Sequence, residues 1–217
     1  MKAKLKERSQ LHQIIADNTW LFGEEYHLTA SDRSLTTVLR KHRKLLDDHT
    51  VIDKPVKHVD KKLGIVDLMF SRALRRHRAD KLDHLVVELK RPSVKIGDKE
   101  ITQIEKYAIS VANDERFRTS NGVRWVFWVI SDDFADYADY RMDEEGIISS
   151  NGGITVGVKT WGQVIEQNKA RLQFFQEKLE HQVDEGTALR YLQDRYSRFL
   201  EGVVTEDDIE NSDSNDE

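Results

Sequence analysis

The chain has 217 residues, 38% of them hydrophobic and 34% charged, with no cysteine, two prolines and eleven glycines. That length suits one domain with additions. The composition excludes fibrous and broadly disordered chains, disulfide frameworks, thiolate nucleophiles and cysteine zinc sites. The formal charge of −5 resides at the end of the sequence, where 205–217 holds seven acids and no base, whereas 40–95 holds 16 Lys or Arg against 8 Asp or Glu. A polyanion would find that local excess attractive once folding gathers it.

In chain order, the pattern predicts a helix over 5–17, with Leu11, Ile14 and Ile15 apolar, followed by the aromatic turn Trp20, Leu21, Phe22 and the acidic pair Glu24, Glu25. A second helix over 34–46 carries Leu35, Val38 and Leu39 at three-and-four spacing, with Arg40, Lys41, Arg43 and Lys44 around it. Residues 47–63, with Pro55 and several charges, read as a connection or edge element. A buried strand over 64–70 follows, interrupted by Asp67, then a charged stretch over 71–83 with Arg72, Arg75, Arg76 and Arg78, and a strand over 84–90 that Pro92 ends. A helix over 99–113, the most hydrophobic strand (123–130), a helix near 133–144, a strand over 154–158, a long helix over 160–181 and a final helix over 187–201 complete the pattern. Alternating strands and helices mean an α/β fold. The acidic tail, 205–217, lacks the apolar content that offsets ordering entropy and reads as disordered. The N-terminus is charged and leads into no apolar segment, and the longest apolar run, Trp125–Ile130, is too short to span a bilayer. The expectation is a cytoplasmic protein with no membrane partner.

Strand periodicity puts Glu88 and Lys90 on one face of their strand while Leu85, Val87 and Leu89 face the other way. A suitable register would set Asp67, between Val66 and Leu68, beside Glu88. Two carboxylates in a partly buried site repel, and the usual remedy is a hard divalent cation with oxygen ligands, Mg²⁺ being the physiological one. A nearby lysine orients attacking water or stabilises phosphoryl charge, which suits phosphodiester hydrolysis. Acid-x-Lys alone carries little information: chance predicts about three occurrences in such a composition, and two exist, Asp60 with Lys62 and Glu88 with Lys90. Context separates them, because only the second lies on a clear strand, some twenty residues after a strand-borne Asp and before a helix.

Asp67, then Glu88-Leu89-Lys90, then a helix carrying Gln103 and Tyr107, resembles the PD-(D/E)XK nuclease superfamily. The runs Asn18-Thr19-Trp20-Leu21-Phe22-Gly23-Glu24-Glu25-Tyr26 and Val86-Val87-Glu88-Leu89-Lys90-Arg91-Pro92 are similar to those of Shedu-type bacterial antiphage defence nucleases, and the resemblance covers roughly 10–180. It implies a restriction-endonuclease-like central mixed sheet flanked by helices, with a nuclease-like domain over 1–182 and a helical C-terminal addition over 183–204. It implies Mg²⁺, with Mn²⁺ as a substitute, held by Asp67, Glu88 and the Leu89 carbonyl, with Lys90 as catalytic lysine. Glu25 is the implied helix-borne acid, with Glu24 as the alternative, and Gln103 and Tyr107 are supporting groups, Tyr107 on the substrate side. Val66 stands where the motif has its proline.

DNA is the expected substrate, with Arg40, Arg43, Arg75, Arg76 and Arg91 as phosphate contacts. The resemblance also leaves room for a homo-oligomer, a sensor or ATPase partner, or a fused upstream domain. Two other classes stand beside the nuclease: a non-catalytic DNA-binding or scaffolding module, and a regulatory domain that recruits another protein through its last helices. His58 and His84 lack metal-ligand spacing and read as surface or core residues. Gly152–Thr160 fails the spacing of a phosphate loop. Trp125 and Trp128 read as core.

Overall fold

The computed structural model describes residues 10–60, 64–73, 82–117 and 122–179. Six strands form one mixed sheet: β1 (His27–Ser34), β2 (Ile65–Ala73), β3 (Leu82–Leu89), β4 (Val123–Ser131), β5 (Ile147–Asn151) and β6 (Ile154–Thr160), in the order β1-β2-β3-β4-β6-β5. The β1/β2, β2/β3 and β5/β6 pairs are antiparallel, and β3/β4 and β4/β6 are parallel. A parallel pair needs a crossover, and α3 (Asp98–Asn113) supplies the one between β3 and β4. The other helices are α1 (His12–Asp17), α2 (Leu35–Leu45), α4 (Asp136–Arg141) and α5 (Trp161–Leu179).

The sheet is covered on both faces, as its near-continuous hydrophobic central strands require. All eight residues of β3 are buried. On one face Met69, Val86, Phe127, Val129 and Val158 pack under α2, α3 and α4; on the other Leu68, Phe70, Leu85, Val87 and Leu89 pack under α1 and α5. Helix α2 shows how the chain commits to the first face. Ser34 caps it by accepting the Thr37 N–H, and Leu35, Val38, Leu39 and His42 form its buried stripe at three-and-four spacing.

This is the α/β architecture expected from the sequence, a central mixed sheet flanked by helices. Two strands were not expected. β1 (HLTASDRS) is a polar edge strand with one buried residue, Ala30, and β5 is short and largely exposed; neither has the apolar enrichment by which strands are recognised. The expected final helix, the acidic tail and the basic residues 74–81 lie outside the described residues. Among the described residues no helix is long and apolar enough to cross a membrane.

The pairing of β5 with β6 depends on Gly157. A Cβ there would lie 2.5 Å from the Trp128 ring and 2.7 Å from the Gly146 carbonyl oxygen, which accepts the Val158 N–H. The carbonyl is backbone and cannot step aside, so Gly157→Ala is expected to destabilise the fold by about 2 kcal/mol. Urea unfolding at neutral pH checks this; an unchanged midpoint would contradict it.

Candidate active site

The β2/β3 pairing runs from Ala73↔Leu82 to Leu68↔Val87, with Met69 opposite Val86. Both of those residues belong to the core under α2 and α3. Asp67 precedes Met69 by two residues and Glu88 follows Val86 by two, so strand periodicity places both carboxylates on this same face. One further step of the register brings them level.

At that point the ladder gives way to side chains. Successive N–H groups on a strand point to opposite neighbours. The Lys90 N–H goes to the Ile130 carbonyl on β4 at 2.9 Å, so the Leu89 N–H turns toward β2. There it meets the Asp67 carboxylate, with Oδ2 accepting at 3.0 Å, instead of a main-chain carbonyl. An acid inside an apolar strand therefore serves as acceptor where the two strands part.

Glu88 is held from the helical layer. Gln103 Nε2 donates to Glu88 Oε1 at 2.6 Å, Lys90 Nζ donates to the same oxygen at 2.9 Å, and Lys90 Nζ also donates to Gln103 Oε1 at 2.9 Å. The chemistry of this triangle requires an amide: a carboxylate only accepts and an ammonium only donates, so the third member must do both. Gln103 sits in the second turn of α3, whose start is fixed by the Gly97 N–H donating to Glu100 Oε2 and carries Asp98 and Glu100 toward the helix dipole. Asp67 is 4% exposed, and the side chains of Glu88 and Lys90 are 6% and 12% exposed. These are charges in a low-dielectric setting, where pairing and hydrogen bonding are obligatory.

The two carboxylates are hard oxygen donors without a soft ligand beside them, which matches the preference of Mg²⁺ for one or two protein carboxylates completed by water and substrate oxygens. Among the described residues there is no cluster of three or more His, Asp or Glu able to hold a metal. The donor set thus fits a cation that keeps most of its shell in solvent, and does not fit a fully caged structural ion.

Several expected residues lie elsewhere. Glu25 is in the turn before β1, with its Oε2 3.9 Å from Arg72, and Arg72 in turn donates to Asp83 at 3.1 Å and lies 4.7 Å over the Tyr26 ring. Arg72 follows Asp67 by five residues, which is roughly 16 Å along the strand and the opposite face of the sheet. Glu24 instead pairs with Arg171 on α5 at 2.7 Å. The physical reason is that Phe22 and Tyr26 anchor this turn in the core beneath α1 and α5, away from Asp67.

Tyr107, one helical turn beyond Gln103, is 6% exposed and donates to the Ile65 carbonyl at 2.7 Å. It fastens the start of β2 two residues before Asp67, with its hydroxyl engaged by the main chain. Of the expected phosphate contacts, Arg91 is exposed and adjoins Lys90. Arg43 is paired with Asp48 at 2.6 Å. Arg40 is exposed midway along α2, two residues before His42, which packs on His84, four residues before Glu88 in β3. Arg75 and Arg76 lie outside the described residues.

Sequence reasoning missed Ser131. Fully buried at the end of β4, it donates to the Arg91 carbonyl at 3.2 Å and to the Val94 carbonyl, fixing the turn after Lys90. A lone hydroxyl closing an apolar strand was the available signal.

No protein-family model and no curated protein matches this chain. Among solved structures it is similar to a repair endonuclease from Pyrococcus abyssi, at 16% identity and a TM-score of 0.39, over 74% of this chain and 50% of that one. The chain spans about half the length of that protein.

Proposed function

We propose that this protein is a divalent-metal-dependent nuclease that hydrolyses DNA phosphodiester bonds. The observation that carries the proposal is the convergence of Asp67 from β2, Glu88 and Lys90 from β3 and Gln103 from α3 at the point where β2 and β3 part. Asp67 and Glu88 would hold Mg²⁺ or Mn²⁺, with the Leu89 carbonyl as a further oxygen. When bound, such an ion supplies charge that neutralises a phosphate and acidifies water.

This chain's own residues supply the rest. Lys90, held by Glu88 and Gln103, keeps an ammonium fixed at the site, where it orients water and offsets the charge that grows on the phosphoryl oxygens. Gln103 fixes the direction of both partners, and Tyr107 and Ser131 fix the strand and turn on either side. Arg91 offers a sequence-independent phosphate contact. The likeness of 18–26 and 86–92 to Shedu-type nucleases extends the reading to defence against phage or foreign DNA in the cytoplasm.

Incubating the purified chain with supercoiled plasmid should give nicked or linear DNA with Mg²⁺ or Mn²⁺, and none with a chelator or in Glu88→Gln. Binding of DNA without cleavage under either metal would overturn the proposal in favour of a non-catalytic binding module.

A further inference from the structure

On the face of the sheet opposite Asp67 and Glu88, a cavity of about 250 Å³ opens between the sheet and the layer formed by α5 and the turn before β1. Phe22, Tyr26 and Trp128 form aromatic walls, and Lys159, Gln167 and Asn168 bring polar groups to it. Its size is just below the roughly 300–1,000 Å³ typical of drug-sized ligands, which suits a fragment of one or two rings.

The charge at the cavity is not balanced. Arg171, which also lines it, is paired with Glu24 at 2.7 Å. Lys159 has neutral partners: its Nζ donates to Gln167 Oε1 at 2.8 Å and lies 4.6 Å from the centre of the Trp128 ring. Burial pulls this ammonium below the ordinary lysine range, with the Glu145 carboxylate acting in the opposite sense. Among the described residues that line the cavity there is no carboxylate. Nearby, Asp83 is shared by Arg72 and Arg124, and the Arg72 guanidinium lies against Tyr26. A half-buried cation with aromatic walls, whose hydrogen-bond and ring contacts are neutral, is complementary to a planar anion: the acid group pairs with the ammonium and the ring replaces water against the walls.

We infer that this cavity is a binding site for a small planar anion, a ring joined to one acid group, with Lys159 as the charge that selects it. A mononucleotide and an aromatic carboxylate share this chemistry. The inference is independent of the nuclease reading, since it concerns the other face of the sheet and its test reads binding.

Isothermal titration of the full chain with dCMP and with 4-hydroxybenzoate distinguishes the two sources, and cytidine and inorganic phosphate serve as half-ligands. At least one of the ring-plus-acid probes should saturate a single site with a Kd below about 1 mM, with both half-ligands at least tenfold weaker. Gln167→Glu places a carboxylate on the ammonium from an exposed position, and Lys159→Gln removes the charge; each should weaken binding at least tenfold with the unfolding midpoint unchanged. Failure of both ring-plus-acid probes to saturate by about 5 mM, or equal binding by Gln167→Glu and the parent chain, would overturn the inference.

Discussion

Lys90→Ala should lower the rate of metal-dependent DNA cleavage about a thousandfold while leaving DNA affinity within a few-fold. Glu88 and Gln103 hold the ammonium in place, and removing one preorganised electrostatic group from an active site typically reduces kcat by roughly 10²–10³. Affinity should be nearly unchanged because a single phosphate contact adds only a small increment to DNA binding. Lys90→Arg separates catalysis from structure. It preserves a cation beside Glu88 Oε1, but a planar fork with fixed donor directions cannot replace a compact ammonium that sits 2.9 Å from both Glu88 and Gln103. The Arg variant should therefore keep the parent unfolding midpoint and still cleave at least tenfold more slowly. Cleavage by Lys90→Ala within threefold of the parent would mean that Lys90 is only a structural partner of Glu88. Single-turnover rates, with DNA affinity measured in a chelator, provide both quantities.

The second large effect concerns pH and the core. His42 and His84 are both 0% exposed, and their rings are joined by a 2.9 Å bond between His42 Nδ1 and His84 Nε2. The chain continues from His84 Nδ1 to Ser71 Oγ at 2.8 Å and from Thr29 Oγ1 to Ser71 Oγ at 2.7 Å. A consistent order of protons runs from Thr29 through Ser71 and His84 to His42, with both imidazoles neutral. Trp125 and Phe117 pack around the pair. Burial lowers the His42 pKa to about 4, with Arg43 adding to the effect, and burial followed by the neighbouring His42 pushes His84 well below the ordinary range.

For a base with a lowered folded-state pKa, the unfolded chain binds the extra proton. The contribution is therefore complete above pH 6.5 and is lost as pH falls toward the folded value. For His42 alone the loss is about 2 kcal/mol at pH 5 and about 3 kcal/mol at pH 4, and His84 changes stability in the same direction. Urea unfolding at pH 7.5 and pH 5.0 measures this, and His42→Phe, which suits the surrounding rings, should shrink the difference between the two by about 2 kcal/mol. Equal stability at the two pH values would contradict neutral burial of the pair.

The sequence made the interior strands legible because burial on both faces leaves a run of apolar residues, as in β3 and β4. The charged residues at the strands were legible for the same reason: Asp67, Glu88 and Lys90 stand out against apolar neighbours. Gln103 lies on the face of α3 turned toward Glu88 and Lys90. Edge strands lack such a signal, so β1 and β5 passed unnoticed. Local pattern also does not state which face of the sheet a helix or turn will cover. Glu25 follows an aromatic turn that could dock on either face, and it docks beside Arg72. Similarly, three-and-four spacing identified the buried stripe of α2 but not which partners its arginines take, and Arg43 pairs with Asp48. The cavity at Lys159 depends on β4, β6, α5 and the turn before β1 meeting together, a conjunction that no single window of sequence contains.

Titration of the metal-free chain with Mn²⁺, followed by electron paramagnetic resonance of the free ion, tests the core of the account most directly. The parent should bind one ion that Mg²⁺ displaces, and Asp67→Asn should bind it at least tenfold more weakly while still folding. Identical Mn²⁺ affinity in the parent and Asp67→Asn, or no binding in the millimolar range by a folded parent, would contradict it.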